Sequence, residues 1–120
     1  MTEHDFAAAV PQICGRDTAF DPTTWSSENP THGHCAIVSL LAQALFGGEI
    51  VRASLEGTAF AHSRSHYWNR LPWGERDFTA DQFQGHRPPL VGTACAREPM
   101  LRNAQTARRY AQLSSRFDLL

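Results

Sequence analysis

Cysteine, histidine and aspartate stand in that order at positions 35, 66 and 77, and each falls on an element suited to covalent acyl transfer. The apolar run Cys35–Phe46 predicts a helix with Cys35 at or next to its N-terminal cap. Unsatisfied backbone N–H groups and the positive end of the helix dipole meet there. Such a position favours thiolate over thiol. The same N–H groups are placed to bind an oxyanion once the sulfur attacks a carbonyl. Taken alone, a cysteine followed by Ala36, Ile37 and Val38 reads more readily as a small core residue. His66 and Asp77 change that reading, because a helix-start cysteine, a strand histidine and a next-strand acid are the parts that cysteine acyl-transfer enzymes use.

The elements must bring these residues together. Ser65–Leu71 and residues 75–78 flank Pro72-Trp73-Gly74, which reads as a hairpin. With a two- or four-residue loop, Asp77 shares a face with His66, Trp68 and Arg70. The two-residue register lets its carboxylate approach His66 on a diagonal. A three-residue loop turns Asp77 to the opposite face. Arg70 is expected to pair with Glu75 or Asp77.

Around this hairpin the pattern is α+β. Residues 4–14 have helical spacing, with Pro11 expected to strain or end the helix. The polar stretch 15–33 reads as an ordered loop pinned by Phe20 and Trp25. The helix Cys35–Phe46, apolar nearly all round, is expected to be the buried centre, ended by Gly47-Gly48. A strand is expected over residues 49–55 and a polar turn over 56–64. Thr79 and Gln82 fit a capping box that opens a short helix. An edge strand is expected at 90–93 and one helix over 99–117. The fold expected is a central helix on a small antiparallel sheet, with N- and C-terminal helices.

At 120 residues the chain has the length of one domain, 1–120, and 42% hydrophobic residues suffice for a core. The net charge of −1 argues against a general electrostatic grip on nucleic acid or anionic lipid. All eleven basic residues are arginine, in no pattern that marks one patch. The start Met1-Thr2-Glu3-His4-Asp5 is polar and acidic, unlike a secretory signal, and no apolar run approaches a membrane span. Three widely spaced cysteines, Cys14, Cys35 and Cys95, suggest no disulfide framework. A cytoplasmic location is therefore expected. His32, His34, Cys35, His62 and His66 are not at an accepted zinc spacing, so no metal or cofactor is expected.

Four blocks resemble the bacterial YunG-like family: Trp25 with Asn29-Pro30-Thr31-His32-Gly33-His34-Cys35-Ala36; Phe46-Gly47-Gly48-Glu49-Ile50; His66-Tyr67-Trp68-Asn69-Arg70-Leu71; and Asp77-Phe78-Thr79 with Gln82-Phe83. A weaker echo lies at Arg109-Tyr110 and Leu113. The resemblance implies a Cys-His-Asp arrangement like that of papain-like and transglutaminase-like folds, with Cys35, His66 and Asp77 on those positions. The family has glutamine immediately before the cysteine; here His34 stands there. If that glutamine side chain binds an oxyanion, His34 must serve in its place.

Two functions are thus in view. One is a cysteine-dependent hydrolase or acyltransferase acting on an amide, ester or isopeptide carbonyl of a small-molecule or peptide substrate. Cys35 would be its nucleophile, His66 its acid–base group and Asp77 its orienter. The other is a non-catalytic binding module on the same scaffold.

Overall fold

The structure, a computed structural model, describes all of residues 1–120. It is an α+β domain in which helices pack against a four-stranded antiparallel sheet. The elements are α1 (Glu3–Ile13), α2 (Cys35–Phe46), β1 (Glu49–Ser54), β2 (Ser65–Leu71), β3 (Gly74–Arg76), β4 (Thr93–Cys95), α3 (Arg97–Arg102) and α4 (Ala104–Asp118). The strand order is β3-β2-β1-β4, which puts the histidine-bearing β2 inside the sheet. No helix is long and apolar enough to cross a membrane.

Helix α2 keeps its sequence-expected bounds because, Ser39 apart, its residues are apolar from Ile37 to Ala42, and it is buried across that stretch. Phe6, Val10 and Ile13 of α1 and Leu113 of α4 close over it in the main core cluster. On the sheet side, Asn69 of β2 donates from Nδ2 to the Ser39 carbonyl at 3.0 Å. That bond ties the central strand to the central helix. Gly48 completes the junction from α2 into β1: at φ +79° a Cβ there would come within 2.3 Å of the Arg70 carbonyl oxygen, so only glycine fits.

The hairpin has the two-residue form. Leu71 pairs with Gly74, Arg70 with Glu75 and Asn69 with Arg76, leaving Pro72-Trp73 as the loop. Continued by one residue, this register sets Asp77 beside Trp68, on the diagonal from His66.

Several elements differ from expectation, each for a local reason. Pro11 does not end α1, which runs on to Ile13. Pro11 is exposed and forfeits one backbone bond, while buried Val10 and Ile13 hold the last turn to the core. At its start, Thr2 and Asp5 form a reciprocal cap. Trp25 pins the 15–33 loop through its indole N–H, which donates to the Pro30 carbonyl at 2.9 Å. Phe20 is 58% exposed and does not enter the core; its N–H donates to the Gly33 carbonyl, and its ring lies against the Arg109 guanidinium. The last strand begins at Thr93, later than expected. Gly92 lies flat against the Trp68 indole, where a Cβ would approach to 2.6 Å, and Leu90 packs on the same cluster. The C-terminal helix is two helices, because Asn103 caps α4 by accepting from the Thr106 N–H at 3.0 Å. The Thr79 capping box is absent. Residues Ala80–Phe83 make one tight turn, and the Gln82 side-chain amide folds back onto the Thr79 carbonyl and hydroxyl.

Candidate functional site

Cys35 opens α2, preceded by His34 as N-cap. The first helical bond of α2 runs from the Val38 N–H to the His34 carbonyl. The N–H groups of Cys35, Ala36 and Ile37 therefore lie ahead of the regular ladder, at the positive end of the helix. Gly33, at φ +77°, makes the bend that delivers the chain to this point; a Cβ there would press on the Phe20 amide at 3.1 Å. Cys35 is half-buried and lines a cleft of about 540 Å³.

His66 is the second residue of β2 and only 1% exposed. Its ring is stacked on Trp68 and meets Phe83 edge-on, at centroid distances of 5.6 and 4.8 Å. These two aromatics fix its plane. Nε2 lies 2.6 Å from Asp77 Oδ2, and the Cys35 sulfur is near enough to the same imidazole to favour its protonated form. With Nε2 committed to Asp77, Nδ1 is left for the thiol; the Gln82 amide nitrogen is 3.5 Å from it. Asp77 is itself held on both oxygens: Oδ1 accepts from the Thr79 N–H at 3.2 Å, and Oδ2 from Arg87 Nε at 2.8 Å. Arg70 does not reach Asp77 but pairs with Glu75 and Glu49 at the surface.

Charge follows from these contacts. Burial disfavours the His66 imidazolium, but the hydrogen bonds to Asp77 and Cys35 and the charges on both outweigh it, raising the pKa to about 9. Burial likewise opposes ionisation of Asp77. The His66 and Arg87 partners prevail and hold its carboxyl below the ordinary range.

His34 does not join this line. Its side chain is fully buried, with Nε2 2.8 Å from the Thr18 hydroxyl and Nδ1 2.9 Å from the His32 carbonyl. Nδ1–H donates to the carbonyl, so Nε2 accepts from Thr18. Burial, with the nearby Arg109 guanidinium pushing the same way, lowers its pKa to about 4. The two remaining cysteines stand apart: burial pushes the Cys14 thiol up to about 12 and raises that of Cys95. No group of three or more His, Cys, Asp or Glu side chains is arranged to hold a metal ion.

Two residues at the site were not singled out by the sequence reading. Arg87 precedes Pro88-Pro89 in an irregular loop, and no spacing rule links it to Asp77. Arg109 did leave a signal: it lies four residues before buried Leu113, so a guanidinium occupies the apolar face of α4.

The molecule is thus an α+β domain with a cysteine, a histidine and an aspartate converging beside a cleft. It belongs to the YunG family, whose model, described as "YunG protein", matches residues 2–119. A curated relative, "Uncharacterized protein YunG" of Bacillus subtilis (strain 168), is 32% identical over 60 residues. That match covers 50% of this chain and 47% of the relative, so it spans about half of each. No solved structure matches the chain.

Proposed function

We propose that this chain is a cysteine-dependent hydrolase or acyltransferase with a papain-like Cys-His-Asp arrangement, acting on an amide, ester or isopeptide carbonyl. The observation that carries this reading is the buried His66 imidazole, bonded to the Asp77 carboxylate and close to Cys35 at the edge of an open cleft.

His66 carries the proton before attack, so the Cys35 sulfur adds as the thiolate of an ion pair and forms a C–S bond to the carbonyl carbon. The carbonyl π pair becomes the oxyanion, facing the free N–H groups that open α2. His66 gives the proton to the leaving nitrogen or oxygen as that bond breaks. Water or an acceptor amine then attacks the thioester as His66 takes its proton, and the sulfur leaves as thiolate beside the restored imidazolium. Asp77 keeps Nε2–H oriented and stabilises the imidazolium throughout.

His34 favours a second reading, a binding module. Its imidazole is spent on Thr18 and His32, leaving the oxyanion to backbone donors alone. One experiment separates the two: iodoacetamide labelling of the native chain at pH 7, with the modified cysteine located by mass spectrometry. The enzyme reading expects Cys35 to be labelled first and His66→Ala to slow its labelling by roughly tenfold or more. Labelling of Cys35 that ignores His66 would sink that reading and leave the binding module.

A further inference from the structure

Arg109 is the largest fully buried side chain in the protein, at 2% exposure. Every arginine in an ion pair here, namely Arg70, Arg76, Arg87 and Arg116, is at least 31% exposed at its side chain, or has a partner that is. Arg109 has no carboxylate partner. Nε donates to the Thr18 carbonyl at 2.8 Å and Nη2 to the Gly33 carbonyl at 2.6 Å. Nη1 makes no hydrogen bond within the chain, and Arg109 lines the same cleft as Cys35. A buried guanidinium held only by neutral carbonyls is costly unless an anion completes it.

The rest of the cleft carries one charge of each sign, so Arg109 leaves it net positive. Arg64 lines it, exposed and without an ion-pair partner. The single acidic residue in the lining is Asp21, whose Oδ1 accepts from the Thr23 N–H and hydroxyl. The Phe20 ring stands over the Arg109 guanidinium at 5.8 Å, at one wall of the cleft. Burial lowers the Arg109 pKa, and the Cys35 sulfur is close enough to act on it in the opposite sense. The guanidinium and the nucleophile therefore share one space.

From this geometry we infer that Arg109 is the anion-recognition group of the Cys35 cleft, and that the substrate carries a carboxylate near the carbonyl that Cys35 attacks. This deepens the hydrolase or acyltransferase reading and rests on it. Nη1 supplies the point contact; Arg64 adds charge at the mouth. The carbonyl contacts of Nε and Nη2 fix the guanidinium plane, so the anion is met by a preorganised donor. A phosphate could meet the same charge. Nη1 is the one guanidinium nitrogen without a hydrogen bond, and this single donor nitrogen suits the flat, singly charged carboxylate.

The test uses a pair of alkylating reagents of nearly equal shape, iodoacetate and iodoacetamide, on the native full chain. Cys35 labelling is resolved by mass spectrometry and the rate ratio is referred to that of glutathione. The inference expects the iodoacetate-to-iodoacetamide ratio at Cys35 to exceed the glutathione ratio by about tenfold or more at low salt, and to fall as salt is added. Arg109→Gln should bring the ratio to the glutathione value while changing the iodoacetamide rate much less. Succinate should protect Cys35 from iodoacetamide better than inorganic phosphate does; the reverse order would overturn the carboxylate assignment. A ratio equal to that of glutathione, with iodoacetamide labelling still dependent on His66, overturns the anion site and leaves the enzyme reading standing. An Arg109→Gln chain that loses both rates equally assigns Arg109 to the thiolate and overturns it too. Cys35 that reacts with neither reagent overturns both readings. If Arg109→Gln does not fold, the wild-type ratio and its salt dependence decide.

Discussion

Two histidines lie almost within the same site, equally hidden from water, and titrate in opposite directions. His66, 1% exposed, is raised to about 9, while His34, fully buried, is lowered to about 4. Burial presses both towards the neutral form. The difference lies in what each ring meets: His66 has a carboxylate and a thiol, whereas His34 has a hydroxyl, a carbonyl and a neighbouring guanidinium. The strand position therefore holds its proton at neutral pH, and the cap position is a neutral strut. Proximity to Cys35 in sequence predicts nothing about which ring carries charge.

The largest expected break in this contrast comes from Asp77→Asn. It leaves His66 and Arg87 without their carboxylate and should cost on the order of 3 kcal/mol at pH 7. A folded pKa raised above the ordinary 6.5 stabilises the protein fully below pH 6.5, and that contribution fades as pH rises through about 9. Urea unfolding of the wild type should therefore weaken along this alkaline limb, and the Asn variant should show far less of it. An unchanged limb would mean that Asp77 does not set the His66 charge.

His34→Gln tests the other arm with a residue that cannot titrate. The neutral His34 stabilises fully above pH 6.5 and loses that contribution as pH falls towards about 4, a change of about 3 kcal/mol. The variant should lose about 1 kcal/mol at pH 7 through its altered hydrogen bonds. Its deficit should then shrink and reverse near pH 4, as read by urea unfolding at both pH values. A deficit constant with pH would remove the contrast. The smallest effect is expected from Arg87→Ala. This partner of Asp77 is 31% exposed at its side chain, so the loss should stay under about 1 kcal/mol. The His66 titration followed by NMR should remain well above 6.5.

The sequence made one of these arms visible and hid the other. The hairpin after Ser65–Leu71 permitted the His66–Asp77 diagonal, because strand side chains repeat every two residues, but the loop length that selects it is settled only by the pairing of Leu71 with Gly74. The apolar run from Cys35 announced the helix that presents the thiol. His34 was legible only as a residue beside a cysteine. Its true partner Thr18 lies sixteen positions away across an irregular loop, where no period links the two. The same limit hid Arg87. It also explains the split at Asn103, where a local cap overrode a helical apolar spacing that ran through it.

The bonds from α4 reach furthest along the chain: Arg109 clasps the carbonyls of Thr18 and Gly33, and Arg116 that of Ile13. During synthesis the segment bearing Cys35 leaves the ribosome long before these arginines exist. The loop that feeds the helix start stays unfastened until about seventy more residues have been joined. Cys35 is made early and its surroundings late, so the order of translation itself delays the moment at which the thiol acquires its cleft.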